Sequence, residues 1–259
     1  MTDRVSAAYL ALAGELAERA GAIIRRHFRQ PITVEQKPDR TPVTLADREV
    51  EKAMREMIEA HYPAHGIWGE EFGRVRPEAE YTWVLDPIDG TKSFISGVPL
   101  FGTLISLAFK GKPVLGVIDQ PISRERWVGA TGHETKLNGK PVKTRPCAAL
   151  GEATLFASSP DMFEGAAASW FERLRASVRL TRFGADCYAY GLLAAGFVDL
   201  VVEANMKPYD YCALVPVVEG AGGVITDWQG KALSLHSDGR VAASGDPRLA
   251  EAARAKLTK

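Results

Sequence analysis

Apolar side chains return every three or four positions through Leu16, Ala20, Ile23, Ile24 and Phe28, a period that predicts a helix from about Asp3 to Arg29. A second helical pattern runs from about Leu45 to Ala60, and the Pro-rich polar stretch QPITVEQKPDRTPVT reads as the connection between the two. The pattern then shortens. YTWVLD, TLISLAF, PVLGVIDQP and RERWVGA are β-rich segments parted by Gly and Pro, which predicts a mainly antiparallel sheet flanked by the two helices.

From about Gly151 strands and helices alternate: ATLFASS (strand), Phe163 to Ser177 (helix), VRLTRF (strand), Asp186 to Ala195 (helix) and VDLVVEA (strand). A helix from Tyr211 to Ala221, strands GVITD and VAAS, and a last helix from Pro247 complete the chain. The expected organisation is an α+β half over residues 1–146 and an α/β half over residues 147–259, with a join near Thr144 to Gly151 that lacks the composition of a flexible linker.

A length of 259 residues and 46% apolar content suffice for a sizeable core. Thirty-two basic residues balance 32 acidic ones, so no global field collects nucleic acid or an anionic membrane, and any anion site must be local. Cys147, Cys187 and Cys212 form no C-x-x-C pair and are too few for a disulfide framework, which fits a reducing, cytoplasmic setting. Arg4 followed by VSAAYLALAG has features of an export signal, but Asp3 neutralises the short basic head and the helical period runs on past it. No run approaches the ~20 apolar residues of a membrane span.

Chemistry concentrates at WVLDPIDGTKSF, Trp83 to Phe94, where a buried strand ends in Asp86 and Asp89 and a turn follows. Taken alone, D-x-x-D-G is an ordinary turn or helix cap. Three more acidic positions fall at element ends, however: Asp47 at the start of the second helix, Glu70 with Glu71 in GIWGEEFG, and Asp210 in KPYDYCA. Four carboxylates gathered at one point need cations to stay ionised, and oxygen ligands favour magnesium, or manganese or calcium, over zinc. A helix starting at Gly90 and Thr91 would present free amides to a phosphate. The five histidines lie outside these motifs, and EGAGG at Glu219 to Gly223 follows a helix, so it reads as a helix terminator rather than a dinucleotide loop.

The string GEE at Gly69 to Glu71, DPIDGTKSF at Asp86 to Phe94, and YDYCA with a trailing EGAGG resembles the inositol monophosphatase family of magnesium-dependent, lithium-sensitive sugar-phosphate phosphatases, over nearly the whole chain. The resemblance implies an α/β fold of alternating α-β-α-β-α layers. It implies one metal site at Glu70, Asp86 and the Ile88 carbonyl, a second at Asp86, Asp89 and Asp210, and a third, weaker ion. Asp47 and Thr91 match the pair that orients the attacking water, Gly90 with Thr91 the phosphate cradle, and the related enzymes are typically homodimers. Two ions about 3.5–4 Å apart can clamp an in-line displacement at phosphorus, so the expected chemistry is attack by metal-activated water.

FISGVPLFGTLISLA and the segment from Asp186 to Gly223 are more similar to the histidinol-phosphate phosphatase branch, with Gly184-Ala185-Asp186 and Tyr209-Asp210 where inositol phosphatases commonly carry Gly-Thr-Ala and Trp-Asp. Histidinol phosphate carries an ammonium group and an imidazole, for which Asp186 and Glu203 would supply negative charge. Asp186 can equally serve as a helix N-cap, and Arg182 either faces the phosphate or forms a structural ion pair. The expected activity is hydrolysis of L-histidinol phosphate; inositol-1-phosphate or another small ester, and a non-catalytic metal- and phosphate-binding scaffold, are the alternatives.

Overall fold

Ser6 opens the first helix, α1 (Ala7–His27), by accepting the Tyr9 amide, and the buried stripe Leu12, Leu16, Ala20, Ile23 and Ile24 follows the expected period. The structure, a computed structural model, describes residues 5–31, 34–36 and 42–258; Asp3 and Arg4, on which the choice between helix and export signal turns, lie outside the described residues. Part of the polar connection forms a short antiparallel hairpin, β1 (Val34–Gln36) with β2 (Pro42–Thr44), and α2 (Leu45–His61) follows directly.

An eight-stranded sheet comes next: β3 (Gly66–Gly69), β4 (Gly73–Val75), β5 (Tyr81–Asp89), then after the short α3 (Thr91–Ile95) β6 (Gly102–Phe109), β7 (Lys112–Gln120), β8 (Glu125–Ala130), β9 (His133–Leu137) and β10 (Lys140–Pro141). Its order is β10-β9-β8-β7-β6-β5-β3-β4, antiparallel throughout except where β3 pairs β5 in parallel, Gly69 opposite Leu85. That one parallel pair sends the chain ends after Gly69 and after Leu85 to the same edge. Glu70 and Asp86 thereby become neighbours, tied by the Glu70 amide donating to Leu85 O at 3.2 Å.

Both faces of this sheet are covered, which is why its strands read as continuous apolar runs rather than as strict alternation. Trp83, Leu85, Ile105, Leu107, Leu115 and Val117 pack with the buried stripes of α1 and α2. Val84, Leu104, Ile118 and Trp127 point the other way, into a helical layer. Each such side chain contributes roughly 1.5–3 kcal/mol on burial.

The remaining chain gives β11 (Thr154–Ala157), α4 (Ala166–Arg175), β12 (Leu180–Phe183), α5 (Cys187–Ala194), β13 (Leu200–Glu203), α6 (Pro208–Tyr211), α7 (Leu214–Gly220), β14 (Val224–Thr226), β15 (Val241–Ser244) and α8 (Pro247–Leu257). The second sheet has the order β12-β11-β13-β15-β14, parallel across β12, β11 and β13 and antiparallel beyond. Helices α5 and α7 fill the space between the sheets, while α4 and α8 cover the outer face around Phe171, Leu174, Trp228 and Leu249. The layers run α-β-α-β-α, as expected.

The helix expected over Tyr211 to Ala221 comes in two pieces. Pro216 has no amide for the Cys212 carbonyl and its ring crowds that carbonyl, so the ladder breaks at Cys212 and Ala213. At the far end of α7 the Gly222 amide donates to Glu219 O with φ +91°, the terminator expected of EGAGG. All three cysteines are free, with Cys187 and Cys212 buried. Among the described residues no helix is long and apolar enough to cross a membrane.

Candidate active site

Asp86 and Asp89 are three residues apart, a spacing that in a regular strand aims side chains at opposite faces. The structure resolves this with a bulge. Asp86 pairs with Leu104 but Asp89 pairs with Gly102, so one extra residue is inserted at Pro87–Ile88, and Thr103 Oγ1 secures it by donating to Pro87 O at 2.8 Å. Asp86, Asp89 and Asp210 can then each place an oxygen within 4.8 Å of the other two. Asp210 arrives from the second sheet's side on α6, where its Oδ2 accepts the Lys207 amide at 2.6 Å.

These groups line one cavity of about 190 Å³ together with Glu70, Ile88, Gly90, Thr91, Lys92 and Asp186. The electrostatics are those of a site short of positive charge. Burial, then Glu70, Asp89 and Asp210, hold the Asp86 carboxyl well above the usual range. Burial, then Asp186 and Asp210, do the same for Asp89. Burial pushes Asp210 up to about 7, against the pull of the Lys207 amide. Asp86 Oδ1 is buried with no hydrogen-bond partner. An orphaned carboxylate oxygen in an all-oxygen cluster fits a hard divalent cation.

Asp47, on the first turn of α2, is not among the residues that line this cavity, but it lies near enough to Glu70 for the two carboxylates to repel. It is buried, and its Oδ2 accepts both the Thr44 amide at 2.8 Å and Thr44 Oγ1 at 2.6 Å, while Thr44 Oγ1 accepts the Ala46 amide. Burial nonetheless raises Asp47 to about 6, with Glu70 adding to the rise. Thr91 Oγ1 donates to Ile88 O at 3.1 Å. Gly90 has φ +89°, and a Cβ there would lie 2.9 Å from Asp186 Oδ2.

Asp186 occupies the N-cap position of α5, but its side chain makes no capping bond; the Cys187 amide donates to Asp89 Oδ2 instead, at 2.6 Å. The capping role expected of the Asp186 carboxylate is therefore corrected. That side chain turns to Ser93 Oγ at 3.3 Å, on a backbone held at φ +46° and ψ −138°, a sparsely populated conformation that costs a non-glycine residue roughly 1–3 kcal/mol. Burial raises its carboxyl, opposed by Ser93, Ser158 and Lys92.

Glu203 and Arg182 do not line the cavity. Glu203 is buried beneath it, accepting the Ser158 amide at 2.9 Å, the Ser158 hydroxyl, and Tyr190 Oη at 3.0 Å. Arg182 is exposed on β12, opposite Phe156, and its guanidinium lies 5.6 Å from that ring's centroid, so its place is on an aromatic face rather than in either expected role. A larger cleft, about 580 Å³, opens between α1 and β8, but its Arg126 is matched to Asp119 at 2.6 Å and to Glu18 at 3.2 Å. Sequence reading passed over Glu51, a wholly buried carboxylate one turn after Asp47; a Glu inside VEKAM carries no signal that marks it as buried.

A model of the inositol monophosphatase family matches residues 7–259. Over 225 residues the chain is 54% identical to the bifunctional phosphatase IMPL2, chloroplastic, of Arabidopsis thaliana, covering 86% of this chain and 65% of that protein, so it spans a little under two thirds of that relative. It is 38% identical over 237 residues to a histidinol-phosphatase of Chlorobaculum parvum, covering 91% of this chain and 92% of that one. Among solved structures, an inositol monophosphatase from Zymomonas mobilis superposes with a TM-score of 0.90 at 49% identity, over 98% of this chain and 99% of that chain.

Proposed function

Because the chain belongs to the inositol monophosphatase family, we propose that its carboxylate-lined cavity is a magnesium-dependent phosphomonoesterase whose preferred substrate is L-histidinol phosphate. Glu70, Asp86 and the Ile88 carbonyl would hold one ion, and Asp86, Asp89 and Asp210 another; manganese suits the same oxygens. Bound magnesium would supply Lewis acidity at the phosphoryl oxygens and charge for the incoming and departing oxygens.

The chain's own residues supply the rest. Thr44 fixes Asp47 Oδ2 through two donors, so an ionised Asp47 can orient a water and accept its proton. Thr91 Oγ1, with its hydrogen committed to Ile88 O, presents a lone pair toward the cavity as a second acceptor for that water. Gly90 and Thr91 bring the backbone close enough to the ester for amide contacts to its phosphate oxygens.

The single observation behind the choice of ester is Asp186. Its carboxylate lines the cavity, and because Asp89 takes over the capping of α5, Asp186 is released to meet a cation. A neutral polyol has no use for that charge; an ammonium or imidazolium does. The relatives named histidinol-phosphatase support the same reading. Asp186→Asn should depress kcat/KM on histidinol phosphate about tenfold or more beyond its effect on inositol-1-phosphate, one desolvated charge-assisted contact amounting to ~1.5–3 kcal/mol. Equal losses on the two esters would falsify the assignment.

Inositol-1-phosphate is the second reading, favoured by the 49% identity to the Zymomonas mobilis inositol monophosphatase. The comparison of kcat/KM on the two esters with the unaltered enzyme decides between them. A non-catalytic scaffold is disfavoured because Asp47, Glu70, Asp86, Asp89, Thr91 and Asp210 are all present, and magnesium-dependent release of phosphate from a generic ester separates it from both enzyme readings.

A further inference from the structure

The turn that carries Glu70 is wrapped around one carboxylate that none of the roles above uses. Glu51 is wholly buried on α2. Its Oε2 accepts the Glu71 amide at 2.7 Å, and its Oε1 accepts the Phe72 amide at 3.1 Å and Arg55 Nε at 2.7 Å. The other arm of Arg55 donates to Gly73 O, and its guanidinium lies 5.9 Å from the Phe72 ring centroid. On the near side of the turn, a Cβ on Gly69 would fall 1.9 Å from Glu51 Oε1, so only glycine lets the strand end approach this closely. Glu71, Phe72 and Gly73 are thus each held by Glu51 or Arg55, and Gly69 lies against Glu51.

Asp47, Glu51 and Arg55 are spaced by four and share one face of α2. The helix that aims Asp47 therefore also fixes the backbone on which Glu70 is strung. A buried carboxylate is costly unless several donors satisfy it, and here three donors converge. An amide would not substitute: Gln carries an NH₂ that must face one of those N–H groups donor to donor. We propose that Glu51 is the positioning residue that sets Glu70 against Asp86 and Asp47, touching no reacting atom and acting through the amides of Glu71 and Phe72. This rests on the reading of Glu70 as a magnesium ligand.

The test is a double-mutant cycle on the full chain, with Mg²⁺ binding followed by isothermal titration calorimetry and metal-free Tm recorded alongside. Glu51→Gln should weaken Mg²⁺ binding by about 10- to 100-fold, as partners of ligands commonly do, and kcat at saturating Mg²⁺ should fall far less than the affinity. In a Glu70→Gln background the same change should add little, because the interaction through which it acts is already gone. An equal further loss there, or unchanged Mg²⁺ affinity in Glu51→Gln alone, overturns the proposal. Should Glu51→Gln fail to fold, Arg55→Gln enters the same cycle, with a smaller loss and the same non-additivity expected. If the unaltered protein binds no Mg²⁺, or Glu70→Gln binds it undiminished, it is the functional reading that fails instead.

Discussion

Asp89 Oδ2 accepts the amide of Cys187 at 2.6 Å across 98 positions of sequence. The end of β5 in the large sheet is thereby fastened to the first turn of α5, and a carboxylate assigned to metal binding doubles as a helix cap. The two duties can be separated, because an Asn carbonyl still accepts an amide but carries no charge.

Asp89→Asn and Asp210→Asn should each lower kcat by about a hundredfold or more, equivalent to losing several kcal/mol of transition-state stabilisation. The metal-free folds should survive, since Asn can keep the bonds from Cys187 and Lys207. Steady-state phosphate release with circular dichroism as a fold control checks this; near-normal turnover in either variant removes that residue from the metal site.

The pH dependence of stability follows from the same crowding. Burial pushes Asp47 up to about 6 and Asp210 up to about 7, with Asp86 and Asp89 also held well above the usual range. Carboxyls of the unfolded chain titrate near ~4. The folded protein binds these protons more tightly, so their contribution to stability is fully present below ~4 and is lost as pH rises through about 7. In EDTA, Tm should fall between pH 5 and pH 8, and added Mg²⁺ should raise Tm more at pH 8 than at pH 5. A flat profile in EDTA would count against this account of the site.

Thr44 controls the proton affinity of Asp47. Its hydroxyl and amide bonds pull the Asp47 pKa down against burial. Thr44→Ala should move the acidic limb of the pH–rate profile to higher pH and remove a cap of about 1 kcal/mol from α2. Thr44→Ser should restore both; a limb that stays in place in the alanine variant would show that Asp47 is not the group being titrated.

Gly90→Ala should be damaging for two separate reasons. The backbone at φ +89° is strained for any L side chain, and the new Cβ would press on Asp186 Oδ2 from 2.9 Å. A loss of roughly 1–2 kcal/mol of stability is expected from the backbone alone. Shortening the neighbour in Gly90→Ala/Asp186→Ala should recover part of the lost Tm but not histidinol phosphate turnover; no recovery would mean that the close approach contributes nothing.

Much of this was legible in the chain because the information is local. The helical periods, the DPIDGT turn and the apolar runs of β5 to β7 each follow from residues within a few positions of one another, whereas the spacing of Asp86 and Asp89 acquires its meaning only from the bulge against β6. What was not legible depends on partners distant in sequence. Glu51 sits in a charged stretch of an amphipathic helix, and its burial is decided by a turn about twenty residues later. Arg182 lies on an aromatic ring because parallel pairing sets it beside Phe156, and Asp186 loses its capping role to a residue in another sheet. Pro216 could have been read as a break within the helix expected from Tyr211 to Ala221.

The parallel pairing of β3 with β5, the one such pair in the eight-stranded sheet, sorts that sheet into an acidic edge and a distal one. The chain leaves the acidic edge along β4 and turns back through residues 76–80 at the opposite rim, where Arg76, Pro77, Glu78 and Glu80 are exposed. Arg76 is itself held, its Nε donating to His65 O at 2.6 Å, but lengthening the bend beyond it, at Pro77 and Glu78, shifts neither strand's exit toward the chemistry. It offers evolution, or an engineer grafting a peptide, latitude that the neighbouring Gly69–Gly73 bend denies.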